Sequence, residues 1–413
     1  MNYAQCMDQT QTVASATPLF ARQPIFDAAL DVSAYELLFR GDETSGEAAT
    51  AEVLLSAFDQ SLFDDSSSLP LFVNFPEQLL LHMPPMDRER LVVEILETVT
   101  VTDTLVKAVA ELHSQGYRIA LDDYAGGASF APLLPHVDVV KVDVLELTPE
   151  ELAETVGTLK RAGHEVLAEK VESHAMYEQC RALGADFYQG FFFAKPNIVH
   201  GKQVSAAATA VLKLLTALQE PSMTAGRLEE IILSDTVLTY RIIKLVNSAA
   251  YRRASEITSV AGAVAMLGLQ QLTAFASLLS LSKLDRRPRE LGSYTALRAA
   301  FCQRLGAAAG VPFSPESLFT LGVLSCSEAY FDQPMATLAQ GLPLHEDFLG
   351  ALLKRTGLLG QILTLAQRYQ EGAWDTVDWR SLAAYGIDRA MADAAYQDSV
   401  AWCEAAAPAL RTH

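Results

Sequence analysis

Short apolar runs alternate with amphipathic stretches through the first half of the chain. The runs are LFVNF at 71, LVVEIL at 91, YRIALDD at 117, VDVVKVD at 137, EVLAEKV at 165 and DFYQGFFF at 186. Between them lie helical patterns such as TDTLVKAVAELHSQG, which opens on a Thr or Asp cap and closes at Gly116. Strands that are apolar on both faces and alternate with helices form parallel sheets, and this many repeats favour a closed barrel. We therefore predict a TIM-type (β/α) barrel over residues 18–197.

The strand pattern stops near residue 200, and apolar residues then recur at helical spacing from AAATAVLKLLTAL onward. This pattern predicts an all-α domain over residues 200–413. Residues 257–282 carry no charge and are long enough to cross a bilayer. However, Gln270 and Gln271 lie at the centre of this stretch, and Gly268 divides it. We therefore expect two buried helices of a soluble domain and no membrane span.

Composition argues against a nucleic-acid-binding protein, a zinc-knuckle protein and a secreted protein. The formal net charge of −19 argues against a protein that binds nucleic-acid polymers, because few cations are left to neutralise phosphates. The five cysteines are scattered and form no C-x-x-C pair, which is typical of a reducing compartment and of chains without a zinc knuckle. The first eighteen residues lack the basic and apolar regions of a secretory signal, so we expect a cytoplasmic protein.

Polar residues end, or lie just inside, the successive apolar runs of the first domain. They are Asn74, Glu94, Asp122, Asp123, Lys141, Glu169 and Gln189. In a barrel they would converge at the C-terminal mouth. One such residue alone is usually an ordinary carboxylate near a loop, but a buried ring of unpaired acids would be very costly. Two adjacent carboxylates such as Asp122 and Asp123 repel each other unless they are solvated at a surface or hold metal. We expect the acids of this site to have no positive partner other than the metal. Oxygen ligands without a histidine cluster match Mg²⁺ or Mn²⁺ rather than zinc.

The first domain resembles an EAL domain, the barrel phosphodiesterase family that linearises cyclic di-GMP. The Glu-Ala-Leu signature stands here as YELLFR, which gives Glu36 and Arg40, and QPIFD at 23 resembles the strand before it. NFP, VEILE, LDDY, VKVD, AEKVE and QGFFFAKP follow in the order of the family. The resemblance implies two ions, Mg²⁺ or Mn²⁺, about 4 Å apart, held by Glu36, Asn74, Glu94, Asp122, Asp123 and Glu169.

The resemblance also implies roles for the remaining residues. Lys141 would orient the attacking water and stabilise charge, and Glu169 would help as a base. Arg40 and Gln189 would bind cyclic di-GMP, and the product would be the linear dinucleotide pGpG. Glu97 and Glu172 would anchor loops. The family further allows a homodimer.

Three departures from the family pattern bear on activity. Leu37 replaces the Ala of the signature, Lys170 replaces a usual Gly, and the loop DYAGGASF differs at Ala125, Gly126, Ala128 and Phe130. Two functions therefore stay open: a slow cyclic di-GMP phosphodiesterase, and a noncatalytic adaptor or receptor that signals through protein contacts. A barrel that acts on another phosphodiester is a third reading, which requires Arg40 to be irrelevant.

The second domain resembles HDOD, a helical relative of the HD-GYP phosphodiesterases. The resemblance lies in LEEIILSDTVLTYRIIKLVNSAAY at 228 and ITSVAGAVAMLGLQQL at 257. Beyond residue 200 the only histidines are His345 and His413, which are too few for the metal site of an HD hydrolase. We therefore expect Asp235 to cap or pack a helix and this half to bind no metal. An HDOD domain implies a regulatory or output module that binds an unidentified protein partner.

Overall fold

The computed structural model describes residues 19–40, 69–83, 86–124, 129–195, 206–220, 222–251, 256–281, 284, 288, 290–340 and 342–410. Eight strands form a closed barrel in sequence order. They are β1 (Leu19–Phe26), β2 (Val32–Arg40), β3 (Leu71–Phe75), β4 (Leu91–Ile95), β5 (Arg118–Leu121), β6 (Val139–Asp143), β7 (Glu165–Glu169) and β8 (Phe187–Gln189). The predicted barrel is confirmed.

Strand β1 differs from a regular (β/α) barrel because it runs antiparallel to both neighbours, whereas the pairs from β2 to β8 are parallel. A five-residue connection joins β1 to β2, and a connection this short can only join antiparallel strands. The Asp27 carboxylate shapes this turn by accepting hydrogen bonds from the backbone N–H groups of Ala29 (2.8 Å) and Asp31 (3.0 Å). Leu30 in the turn has a left-handed backbone, with φ of 64°.

Four helices pack around the described part of the barrel. They are α1 (Glu77–Leu81), α2 (Asp103–Ser114), α3 (Pro149–Ala162) and α4 (His174–Leu183). The hydroxyls of Thr102, Thr148 and Ser173 cap α2, α3 and α4 by accepting from backbone N–H groups of the first turn. These caps fix where each helix begins, and the helices bury their apolar faces against the strands.

The barrel interior contains an apolar layer and, above it, a polar layer. The apolar layer consists of Ile25, Ala34, Phe72, Val92, Ala120, Val139 and Leu167. Side chains alternate between the two faces of a strand, so the residue two positions along points to the same side. In β2 to β7 that residue is Glu36, Asn74, Glu94, Asp122, Lys141 and Glu169. The same step from Phe187, which packs against the apolar layer, leads to Gln189 in β8. The strand period therefore places the polar residues in one layer.

The C-terminal half is helical, as predicted. Its helices are α5 (Ala206–Leu218), α6 (Ala225–Leu233), α7 (Thr236–Val246), α8 (Val260–Leu267), α9 (Leu269–Leu281), α10 (Glu290–Ala308), α11 (Pro315–Leu324), α12 (Ser327–Phe331), α13 (Met335–Ala339), α14 (Glu346–Lys354), α15 (Gly357–Gln370), α16 (Trp379–Ala383) and α17 (Arg389–Leu410). Helices α8 and α9 meet at Gly268, whose φ is +82°. The uncharged stretch is therefore two helices, and in the described residues no helix has the length and apolarity that a membrane span requires.

Asp235 caps helix α7, because its carboxylate accepts a hydrogen bond of 3.0 Å from the Leu238 backbone N–H. The interpretation of Asp235 as a capping residue is thereby confirmed.

The helical half contacts the barrel at β1, β2 and the turn after β8. The Tyr35 hydroxyl donates to Glu290 at 3.1 Å, and Arg22 forms an ion pair with Glu404 at 3.4 Å. The ring of Tyr294 lies 6.1 Å from the ring of Phe191 and 5.4 Å from that of Phe193. Gly372 lies so close to β2 that an added Cβ would be 2.7 Å from Leu38. Helix α10 thus contacts Tyr35 in β2 and two residues just after β8, Phe191 and Phe193.

Candidate active site

Lys141 lies at the centre of the polar layer, and its ammonium is surrounded by carboxylates. Its Nζ is 2.8 Å from Asp122 Oδ1, 2.9 Å from Glu169 Oε1 and 3.4 Å from Glu36 Oε1. It also donates a short hydrogen bond to Glu94 Oε1. The side chain of Lys141 is 1% exposed. The expectation that the acids have no positive partner except metal is therefore wrong, because Lys141 pairs with four of them.

One ammonium cannot balance four carboxylates, and the pKa values reflect the excess of negative charge. Burial raises the pKa of Glu94 well above its usual value, and the attraction of Lys141 offsets this only in part. Burial likewise raises the pKa of Glu169 to about 8, against the opposing effect of Lys141 and with repulsion from Asp122 and Glu36. For Lys141, burial alone would lower the pKa, but the carboxylates around it, with Glu169 the strongest, raise it well above normal. Without further cations, the site therefore holds protons on some of its acids near neutral pH.

Asp122 and Asp123 follow β5 directly. The Asp122 backbone N–H continues the sheet by donating to the Ile95 carbonyl at 2.9 Å. Asp123 then adopts a left-handed backbone with φ of 41°, a conformation that Asp tolerates better than most residues. Burial, followed by repulsion from Asp122, raises the pKa of Asp123. One carboxylate oxygen from each of Asp122, Asp123 and Glu169 lies within 4.8 Å of the others, a spacing at which one ion can bind all three.

Buried oxygens without a hydrogen-bond partner are concentrated in this layer. Five of the eight such oxygens among the described residues lie in or beside it: Asn74 Oδ1, Glu94 Oε2, Asp123 Oδ1, Glu169 Oε2 and Gln189 Oε1. Each buried acceptor of this kind costs free energy unless a cation or a donor satisfies it. The acceptors are carboxylate and amide oxygens, which are the ligands that Mg²⁺ and Mn²⁺ prefer. The residues therefore fit the predicted divalent ions.

A second group of charges lies beside the first. Lys170, directly after β7, donates a short hydrogen bond to Asp143 Oδ2, and its Nζ is 3.6 Å from Asp123 Oδ1. Asp143 is buried, and its other oxygen accepts a hydrogen bond of 2.7 Å from the Leu145 backbone N–H. The sequence interpretation missed Asp143. The signal was present in VKVD, because Asp143 lies two residues beyond Lys141 on the same face of β6.

Gln189 also lies in the polar layer, where its side-chain amide donates to Glu36 Oε2 at 2.5 Å. The next residue, Gly190, has φ of +141°, and an added Cβ would lie 2.2 Å from the Val171 carbonyl oxygen. Only glycine allows the ends of β7 and β8 to approach this closely. The position of Gln189 therefore depends on Gly190.

The other predicted residues lie outside the ring or outside the described structure. Glu97 is exposed on the turn after β4, and Glu172 forms an ion pair with Lys195 at 3.1 Å. Leu37 is buried on the outer face of β2, where an apolar residue fits. The side chain of Arg40 and residues 125–128 of the altered loop lie outside the described residues. Phe130, the last altered position, packs against the core.

Comparisons with known proteins identify both halves. The EAL domain family model matches residues 63–196 and the HDOD domain family model matches residues 205–329. Cyclic di-GMP phosphodiesterase CdgJ of Vibrio cholerae is 33% identical over 380 residues, which cover 89% of this chain and 88% of the relative. This similarity extends through both domains. The chain belongs to the family of proteins that join an EAL domain to an HDOD domain.

A second relative matches this EAL–HDOD protein over most of its length, and a solved structure matches less than half of it. The uncharacterized protein YuxH of Bacillus subtilis is 30% identical over 401 residues, covering 93% of this chain and 97% of that protein. The Klebsiella pneumoniae BlrP1 manganese/cyclic di-GMP complex is 25% identical, with a TM-score of 0.37, and the match covers 44% of this chain and 56% of that chain. The EAL family match begins at residue 63, so Glu36 and Arg40 precede it. Glu36 nevertheless lies in the ring with Lys141 and Gln189.

Proposed function

We propose that this EAL–HDOD protein is a metal-dependent phosphodiesterase that hydrolyses cyclic di-GMP to linear pGpG. The observation that carries the proposal is the buried ring of oxygens at the barrel mouth, which has more negative charge than its lysine can balance. The similarity over 88% of a relative named as a cyclic di-GMP phosphodiesterase supports the choice of substrate. Membership of this family also supports a cytoplasmic location.

Glu36, Asn74, Glu94, Asp122, Asp123 and Glu169 would hold two divalent ions, Mg²⁺ or Mn²⁺. When bound, such ions lower the pKa of coordinated water and stabilise the negative charge of the phosphate. The buried oxygens of Asn74, Glu94, Asp123 and Glu169 support this assignment, because they accept no hydrogen bond, although the Asp123 oxygen has Lys170 Nζ 3.6 Å away.

The other residues of the ring would orient groups and move protons. Lys141, fixed by its four carboxylates, would stabilise the charge that develops on the phosphate oxygens. Glu169 would accept a proton during the attack of water. Gln189 orients Glu36 and, with Arg40, would bind the nucleotide.

The alternative is a noncatalytic receptor or adaptor with the same ligand. Lys170 favours it, because its ammonium already interacts with Asp123, one of the proposed ligands. A receptor of this kind would bind cyclic di-GMP through Arg40 and Gln189 without cleaving it, since an Arg fork recognises phosphate without metal. Both functions therefore predict that cyclic di-GMP binds, but only the enzyme forms pGpG.

The HDOD half would regulate the barrel or transmit its state to an unidentified protein partner. Two contacts support a regulatory role. Tyr35, which donates to Glu290, is the neighbour of Glu36, and Phe191, which lies near Tyr294, is two residues beyond Gln189. A shift of helix α10 would thus act on β2 and on the turn after β8 at once. A homodimer is compatible with this arrangement.

Product analysis tests the proposal. Purified full-length protein is incubated with cyclic di-GMP and either Mg²⁺ or Mn²⁺, and pGpG is measured by chromatography. We expect pGpG from the wild type and none from Glu36→Gln or Asp122→Asn. Glu165→Gln is the matched control, because Glu165 begins β7 away from the mouth and pairs with Arg118. If the wild type forms no pGpG with either metal, the enzyme is excluded, and cyclic di-GMP binding then distinguishes a receptor from a scaffold.

A further inference from the structure

Lys170 has an unusual backbone for a residue with a long side chain. Its φ is +53°, in the left-handed region that glycine adopts without penalty and other residues avoid. It directly follows Glu169, the last residue of β7. A strained residue at the mouth of a site calls for a functional explanation, and the contacts of its side chain supply one.

The Lys170 ammonium is held against two acids. It donates to Asp143 Oδ2 and lies 3.6 Å from Asp123 Oδ1, a buried oxygen without a hydrogen-bond partner. Burial tends to lower the pKa of Lys170, but the hydrogen bond to Asp143 and the charge of Asp123 outweigh it and raise the pKa above normal. Lys170 therefore stays charged at every physiological pH, and its charge acts on the Asp123 side of the ring.

The site thus contains two lysines with different freedom to move. Lys141 is fully buried among Glu36, Glu94, Asp122 and Glu169, whereas the side chain of Lys170 is 48% exposed. A half-exposed lysine on its flexible side chain can rotate into solvent, where its ammonium is fully hydrated, but a buried lysine cannot. An ion that approaches Asp123 therefore meets a positive charge that is able to leave.

We propose that Lys170 is a built-in competitor for one of the two divalent ions, so that the ion on the Asp123 side binds more weakly than the other. This inference rests on the proposed two-ion function. Its consequence is a barrel that holds one ion readily and fills its second position only when the free metal concentration is high. Lys170 is a positioning residue here, since it acts on the metal through Asp123.

Metal binding without substrate tests the inference on the full chain. Mn²⁺ is titrated calorimetrically into the wild type, Lys170→Gly, Lys170→Asn and Lys170→Arg. Gly and Asn both tolerate the left-handed backbone, so these variants lose the charge without added strain. Two controls address other effects: Lys160→Gln removes the Lys160–Asp186 ion pair elsewhere on the barrel, and Leu30→Gly relieves a left-handed backbone far from the mouth.

We expect one tighter and one weaker Mn²⁺ site in the wild type. In Lys170→Gly and Lys170→Asn the weaker site should tighten about tenfold, as expected for removal of one charge within several ångströms of a divalent ion. Lys170→Arg and both controls should stay within twofold of the wild type.

Two results would overturn the inference, and they are distinguishable. If the wild type binds two ions and the affinities do not change in Lys170→Gly and Lys170→Asn, the competitor role is excluded while the proposed metal site stands. If neither the wild type nor these variants bind Mn²⁺, the metal site and the inference are both excluded.

Discussion

Replacement of Lys141 by Met tests whether the ring is held together by one buried cation. The substitution keeps an unbranched side chain that is one heavy atom shorter, and it removes the charge that contacts Glu36, Glu94, Asp122 and Glu169. Four acids, of which Glu36, Glu94 and Glu169 are buried, would then face one another without a counter-charge. The metal-free protein should therefore lose stability, and added divalent ions should restore it.

The magnitude follows from the burial of Lys141. Removing one partner of a fully buried ion pair costs about 3–5 kcal/mol. Glu94 and Glu169 reduce the cost because their pKa values are already raised by burial, and they can take up protons when the ammonium is lost. We therefore expect the lower end, about 3 kcal/mol. For a domain of this size, about 2–4 °C per kcal/mol corresponds to a decrease of roughly 6–12 °C in the melting temperature.

Thermal unfolding in EDTA and in Mn²⁺ measures both effects. The matched control is Lys160→Met, because the Lys160–Asp186 pair is about one-third exposed and should contribute less than about 1 kcal/mol. Mn²⁺ should raise the melting temperature of Lys141→Met more than that of the wild type, since the ions replace the missing charge. Even in the presence of Mn²⁺, the Lys141→Met variant should produce no pGpG. The reasoning is refuted if Lys141→Met and the wild type have the same melting temperature in EDTA, or if Mn²⁺ raises both melting temperatures equally.

Three further changes test other parts of the structure. In EDTA, the free energy of unfolding should fall as the pH rises from about 5 to about 8, because the raised pKa of Glu169 makes the folded state hold a proton that the unfolded state releases; chemical denaturation across this range measures it. Gly190→Ala should destabilise the barrel by several kcal/mol, because Gly190 has φ of +141° and an added Cβ would collide with Val171. Gly157→Ala is the control, because Gly157 lies in open space on α3 and its replacement should not destabilise the barrel. Thermal melting compares the two variants. Tyr35→Phe removes the hydrogen bond to Glu290 and should change the rate of pGpG formation, whereas Tyr117→Phe, which removes contacts with Met86 on the barrel, should not; equal rates in both variants would argue against regulation through α10.

The sequence predicted the elements of the fold and most members of the ring for a simple physical reason. Both depend on the strand period of two, so an apolar run that ends in a polar residue also indicates which side chains share the barrel interior. The direction of β1 was not predicted, because it depends on the short turn around Asp27 rather than on any apolar pattern. Asp143 was missed because an acid at the end of a strand, as in VKVD, is usually an ordinary residue where the strand meets a loop.

The partners of the two lysines could not be predicted, because they depend on distances between strands that are far apart in sequence. Lys141 is 105 residues from Glu36, and Lys170 is 27 residues from Asp143. The sequence showed acids and lysines in order along the chain, but not that each lysine neutralises a different group of acids. That division is a property of the closed barrel.

The balance of charge in this division explains why protons and metal ions should substitute for one another. Two lysines face six carboxylates, those of Glu36, Glu94, Asp122, Asp123, Asp143 and Glu169, in the described part of the site. Burial and mutual repulsion raise the pKa values of Glu94, Asp123 and Glu169, so the metal-free site reduces its negative charge by protonation. Divalent ions can reduce the same charge only after those protons leave and Lys170 moves away from Asp123. Metal binding should therefore release protons, and it should release them from the acids whose oxygens have no hydrogen-bond partner in the metal-free protein.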